Sequence, residues 1–188
     1  MNRSEILGYK PIGKPLPSNL WVDLTNSSWK NDERGGTAFV HVLFFEGEDV
    51  FFVLNGKDKK YEEQKPGWKL PTEEVGNGEI PYETARRAVR EEVYRKISDQ
   101  FEIDRKPIWV SKDKHGHFHF VFVGSIKPGV NIPEKCEDVA HEVTEVKFVN
   151  LAEIKVTPDP EKSGCNKLSL DGVYVLPISI GLISLTMN

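Results

Sequence analysis

Cysteine is nearly absent: the 188-residue chain has two, Cys136 and Cys165. That excludes a disulfide framework and a zinc cage built from cysteines alone. It suits a reducing compartment, and a cytoplasmic protein is expected. No long apolar run is present either. The N-terminus, MNRSEILGYKPIGKP, lacks the apolar core of a secretory signal. Near the other end, GVYVLPISIGLISLTM carries no charge but contains Pro177 and Gly181. It is shorter than the ~20 residues a spanning helix needs, so it is expected to pack as a last strand or helix, not to enter a membrane. Positive charge is not in excess. A net charge of −4 argues against a surface that grips a nucleic acid duplex through its phosphates. Small phosphorylated ligands stay open, because a metal ion can supply the charge. Neither a Gly-rich loop ending in Lys-Ser or Lys-Thr nor a G-x-S-x-G elbow occurs.

What is there describes a globular α/β protein. Apolar residues make up 38% of the chain, enough for one buried core at this length and too many for a disordered polymer. Residues 1–35, rich in Pro, Asn, Ser and Gly, read as an N-terminal arm with one short strand around Leu20–Leu24. Residues 36–188 read as a single domain. TAFVHVLFF (37–45) and VFFVLNG (50–56) are β-branched and aromatic, and the EGED turn between them makes a hairpin. A helix is predicted from Pro81, where a missing N–H costs nothing, to about Gln100. Ala85, Ala88 or Val89, Val93 and Ile97 give it a core-facing stripe. Strands follow at 107–111, 117–126 and 143–150, then a helical turn at 150–154. Strands, one long helix and more strands amount to a mixed α+β sheet.

The chemistry concentrates at 69–97, KLPTEEVGNGEIPYETARRAVREEVYRKI. On a helix, positions 88, 91 and 92 share a face, so acidic groups there converge on one point. Hard divalent ions are held by such convergent carboxylates together with waters and phosphates. Glu79 and a glycine-bearing loop precede the helix, and Arg87 stands one turn from Glu91. The plain alternative is a solvated face, in which the Arg87–Glu91 and Glu91–Arg95 pairs contribute only a few tenths of a kcal/mol each.

This segment resembles the Nudix box, G-x5-E-x7-R-E-U-x-E-E-x-G-U with U a bulky aliphatic residue. Glu79, Arg87, Val89, Glu91 and Glu92 fall on its E, R, U, E and E. Leu70-Pro71, Gly78 and Ala85 also look like the family's usual context. Glu73, Ala88, Tyr94 and Arg95 stand where the first Gly, the first helix Glu, the closing Gly and the last aliphatic residue belong. A hairpin before the box and E-x-x-E-V-x-F-V-x-L-x-E-I (142–154) after it extend the resemblance over about 37–155. The resemblance implies an α/β/α sandwich with the box on a loop-helix-loop. It also implies hydrolysis of a nucleoside-diphosphate-linked or related phosphoanhydride substrate by water activated on Mg²⁺ or Mn²⁺. Glu91 and Glu92 would be metal ligands, Glu79 would support the loop or the metal, and Arg87 would position Glu91. Alanine at 88 removes a carboxylate that the family uses as ligand or base. Glu73 or Glu74 from the loop, or Glu142 or Glu145 near the late strand, could supply it from another direction. Otherwise the chain is a slow enzyme, or a Nudix-fold module that binds a nucleotide or a protein without hydrolysis.

His115, His117 and His119 alternate along HGHFHF and so face one way on a strand. At ~6.5 Å between alternate residues they reach one zinc ion only with bending, so a pocket-lining role, with His117 or His119 touching substrate, fits better. Trp68, just before Lys69-Leu70-Pro71, is the tryptophan best placed to line a pocket, although core filling is the commoner fate. The expected partner is a small phosphorylated, nucleotide-like ligand. The arm could contribute to a homodimer, though nothing in it demands one.

Overall fold

The protein's structure is a computed structural model that describes residues 12–55, 67–93, 95–132, 143–158 and 166–183. From the N-terminus come β1 (Lys14–Pro15), a 3-10 turn, α1 (Trp21–Asn26), α2 (Asn31–Arg34), β2 (Ala38–Glu46), β3 (Asp49–Asn55), β4 (Gly67–Lys69) and β5 (Thr72–Glu74). The middle of the chain forms α3 (Pro81–Glu92), a 3-10 segment (Arg95–Gln100), β6 (Phe101–Ile103), β7 (Trp109–Lys112) and β8 (Phe118–Ile126). Then follow β9 (Val143–Asn150), a 3-10 turn (Leu151–Glu153), β10 (Lys155–Pro158), β11 (Asn166–Leu170), β12 (Val173–Val175) and α4 (Pro177–Ile183).

Strand β2 organises the sheet. It runs parallel to β8 from Ala38↔Phe118 to Phe44↔Gly124, antiparallel to β5 through Phe39–His41, and turns tightly into β3 at Phe45↔Val50. Gly124 is required by that packing, since a Cβ there would stand 2.3 Å from the Phe44 ring. The mixed sheet carries apolar side chains on both faces. On one face, Val40, Phe44, Phe51, Phe120 and Phe122 pack with Ala85, Ala88 and Val89 of α3. On the other, Leu43, Phe52, Val121 and Leu70 pack with Ile180, Leu182 and Ile183 of α4. Each fully buried aliphatic or phenyl side chain contributes roughly 1.5–3 kcal/mol. Val175, Ile180, Leu182 and Ile183 of the charge-free C-terminal stretch are thus core. No helix of the described residues is long and apolar enough to cross a membrane.

Several elements differ from the sequence expectation. The segment around Leu20–Leu24 is helical, not a strand. Trp21 and Leu24 lie three apart on one face and pack on the core, and Trp21 Nε1 donates to the Leu16 carbonyl at 2.9 Å. Leu20 and Val22 face solvent. Helix α3 stops at Glu92 instead of running to Gln100. Val93, fully buried, takes φ −100° and ψ −90°, and the chain continues as 3-10 turn into β6. The β-branched and aromatic run Val93-Tyr94 is a poor helix former, and the core holds its first member in place. Strands β4 and β5, with sequences GWK and TEE, are too short and polar to show alternation.

Candidate functional site

Arg87 is the hub of the box. Its Nε and Nη2 donate to the two oxygens of Glu79, each at 3.0 Å, a bidentate fork. Nη1 donates to Glu73 at 3.0 Å and to Glu91 at 3.3 Å, and Nη2 also reaches the Glu74 carbonyl at 2.8 Å. One guanidinium therefore ties together three carboxylates from the loop, the residue before the helix and the helix itself. Its proton affinity is raised, first by the Glu79 hydrogen bonds. Burial pushes the Glu79 carboxyl up, but the Arg87 fork and the Gly76 N–H (3.0 Å) outweigh it and hold it low. Glu73 is raised by burial and by the neighbouring Glu91 charge, against the pull of Arg87. The loop needs its glycines here: Gly78 has φ +85°, and a Cβ on Gly76 would sit 3.1 Å from Glu79 Oε2.

Glu92 is held apart from that cluster. It is 3% exposed, with one oxygen 2.5 Å from Lys69 Nζ and the other accepting the Thr72 N–H at 2.7 Å. Burial raises its carboxyl to about 7, opposed by the Lys69 ammonium and the Thr72 N–H. Ala88, one turn earlier, is fully buried among the α3-side core residues. A carboxylate at 88 would thus enter apolar packing.

These contacts test whether the donors suit a resident Mg²⁺ or Mn²⁺. Both Glu92 oxygens are committed to N–H donors of the protein, and Glu73, Glu79 and Glu91 share Arg87. Among the described residues no group of three or more His, Cys, Asp or Glu is arranged to hold a metal ion. As arranged, the residues do not fit such an ion, because both oxygens of Glu92 and of Glu79 already accept N–H donors of the protein.

The remaining expected site residues are scattered. Glu74 contributes its carbonyl, not its carboxylate, to Arg87. Glu145 lies on β9 opposite Leu54 of β3, and Glu142 lies outside the described residues. Trp68 is a core residue. It is 2% exposed inside the α4-side core with Lys147 Nζ 4.9 Å above its ring, because β4 pairs on both edges, with β3 and β12. His117 is half-exposed, whereas His119 is buried, 3.1 Å from His41 Nε2 and 3.3 Å from Asp113 Oδ2. Sequence reasoning missed Lys69, Thr72, His41 and Asp113. The available signal was a lone histidine inside an apolar strand and a lysine between Trp68 and Leu70, both conspicuous only once strand partners are known.

The family model of the NUDIX domain matches residues 34–166. Among solved structures, an ADP-ribose pyrophosphatase from Streptococcus suis is similar at 12% identity and TM-score 0.50, covering 80% of this chain and 90% of its own. A Nudix hydrolase from M. smegmatis (14% identity, TM-score 0.43) covers 86% and 92%, and a C. elegans Ap4A hydrolase (14%, 0.43) covers 62% and 80%. At these identities the likeness shows the fold alone. No curated protein matches the sequence. With more than two thirds of its length matched by that model, over a mixed sheet with the box on a loop-helix segment, the chain belongs to the NUDIX domain family.

Proposed function

We propose that this chain is a cytoplasmic Nudix-fold module that binds a nucleoside-diphosphate-type ligand without metal-dependent hydrolysis. The observation that carries the reading is the Lys69–Glu92 contact at 2.5 Å, with the Thr72 N–H on the other oxygen. One of the two helix glutamates that the resemblance makes metal ligands is thereby spent inside the protein. Loss of the carboxylate at 88 supports the same conclusion, since losing a general base typically costs about 10²–10⁴ in rate. The ligand class rests on the family and on the name of the Streptococcus suis structure, which makes ADP-ribose the first compound to test.

The test pairs binding with turnover. Thermal shift and calorimetry with ADP-ribose and other nucleoside diphosphate derivatives should show saturable binding, while Mg²⁺ or Mn²⁺ elicits no phosphate-ester product. Metal-dependent cleavage that Glu92→Gln abolishes would overturn the reading. It would favour a slow hydrolase, the second reading, for which Glu73 speaks. That carboxylate shares Arg87 Nη1 with Glu91 and could replace the absent one from the loop side.

A further inference from the structure

A chain of polar groups crosses the sheet beside the box. Thr72 Oγ1 lies 3.0 Å from His41 Nδ1 and also 2.9 Å from the Leu70 carbonyl. His41 Nε2 lies 3.1 Å from His119 Nδ1, and His119 Nε2 lies 3.3 Å from Asp113 Oδ2. The two imidazoles stack at 5.4 Å, and both are buried. Asp113 is a fixed acceptor. Its other oxygen takes the backbone N–H of His115 and of His117, and His117 Nδ1 stands 3.4 Å from Oδ2. Those hydrogen bonds outweigh desolvation and hold the Asp113 carboxyl down to about 2.

With His41 neutral, proton counting allows two arrangements. A neutral imidazole carries one N–H, and a threonine hydroxyl has one proton to donate. With Asp113 ionised, His119 Nε2–H donates to it. If His119 is neutral, its bare Nδ1 must accept from His41 Nε2–H. The bare Nδ1 of His41 then accepts the Thr72 hydroxyl, and Leu70 loses that donor. If instead Thr72 donates to the Leu70 carbonyl, His41 must offer Nδ1–H to the threonine oxygen. Its bare Nε2 then accepts His119 Nδ1–H, and His119 carries both protons. The second arrangement holds one proton more than the first, taken from solvent, with every heavy atom in place.

We propose that Asp113, His119, His41 and Thr72 form a one-proton switch. Proton uptake at His119 reverses both hydrogen bonds of His41 and turns the Thr72 hydroxyl onto the Leu70 carbonyl. The consequence falls on the box. Lys69 and Thr72, the two partners of Glu92, flank Leu70-Pro71, so a Thr72–Leu70 bond braces the segment that grips that carboxylate. The groups facing the switch are Lys69 from β4, beside His41, and His117 with Asp113 at the β7–β8 turn, beside His119. Burial lowers both histidines, His41 the more firmly because His119 and Lys69 add like charge, while Asp113 draws His119 back up. The proton therefore goes to His119. The switch does not depend on whether the bound ligand is hydrolysed.

Long-range proton–nitrogen NMR of the ¹⁵N-histidine-labelled full chain, followed over pH, tests the proposal. The expected result is that His41 changes from its Nε2–H to its Nδ1–H tautomer at the same midpoint at which His119 becomes doubly protonated, on the acid side of the ordinary histidine value. In His119→Gln, His41 should keep one tautomer throughout. In Thr72→Val, which tests the same link should the first fail to fold, the tautomer change should persist but move to lower pH, because His41 Nδ1–H has lost its acceptor. A single His41 tautomer across the series in the unsubstituted chain would overturn the switch. So would separate midpoints, unfolding before His119 takes up its proton, or a tautomer change that survives His119→Gln.

Discussion

Replacing Arg87 by methionine keeps the aliphatic stem and deletes the guanidinium. Three carboxylates then lose their shared counter-charge: Glu79, Glu73 and Glu91, with side-chain exposures of 24%, 22% and 33%. The Glu74 carbonyl loses a donor as well. A charged hydrogen bond is worth about 1.5–3 kcal/mol when buried. Partial exposure and mutual relaxation of the acids bring the sum for the whole hub to about 3 kcal/mol, toward the cost of breaking a buried ion pair. In a chain of this size that lowers Tm by roughly 6–12 °C. Arg87→Lys, which retains charge without the fork, should lose about half as much. Urea unfolding of Arg87→Met, Glu79→Gln and the double variant isolates the fork itself, with an expected coupling of about 1.5–2 kcal/mol. A coupling near zero would refute the claim that the Glu79 fork organises the loop.

Ala88→Glu, which restores the family's residue, should destabilise the chain by more than 3 kcal/mol and create no activity, because the side chain enters a fully buried position. Urea unfolding and a turnover assay check both halves, and a stable, active variant would show that the helix face opens. The pH profile of stability contains two opposed contributions. Burial lowers the His41 and His119 protonation midpoints, so stability is lost as pH falls below about 6.5, where the unfolded chain takes up protons that the fold refuses. Glu92, raised to about 7, acts the other way: its contribution is greatest at low pH and is lost as pH rises through 7. Glu92→Gln removes only the second contribution, so between pH 6.5 and 5 the variant should lose stability more steeply than the parent. Superimposable profiles would show that Glu92 is not buried as described.

Much of the architecture could be read from the chain because the relevant signals are local. The apolar strands 37–45 and 117–126, the EGED turn and Pro81 at the head of α3 each announce themselves within a few residues. The limits of α3 were less legible. Its apolar stripe continues through Val93 and Ile97, and only the pull of Val93 into the core shows where the axis breaks. In the site, the Arg87–Glu91 pair follows from i, i+4 spacing on α3, whereas Glu79 precedes that helix and its fork with Arg87 was not legible. Nor was Lys69 on Glu92, because it depends on β4 lying beside the last turn of α3, a pairing 23 residues apart in sequence. The histidine chain is harder still: His41 and His119 are 78 residues apart and meet only through the parallel β2–β8 register.

Trp29 lies before the first residue that the family model matches, yet it is fully buried between Phe118 and Phe120. Its backbone N–H donates to the Glu79 carbonyl at 2.8 Å, and its carbonyl receives the Gly78 N–H at 2.6 Å. A fragment cut at the family boundary would therefore leave an indole-sized hole beside β8 and release the very glycine turn from which Glu79 reaches Arg87. The unit that evolution repeats and the unit that folds here have different edges, and a shortened protein should report on the missing clasp before it reports on the chemistry.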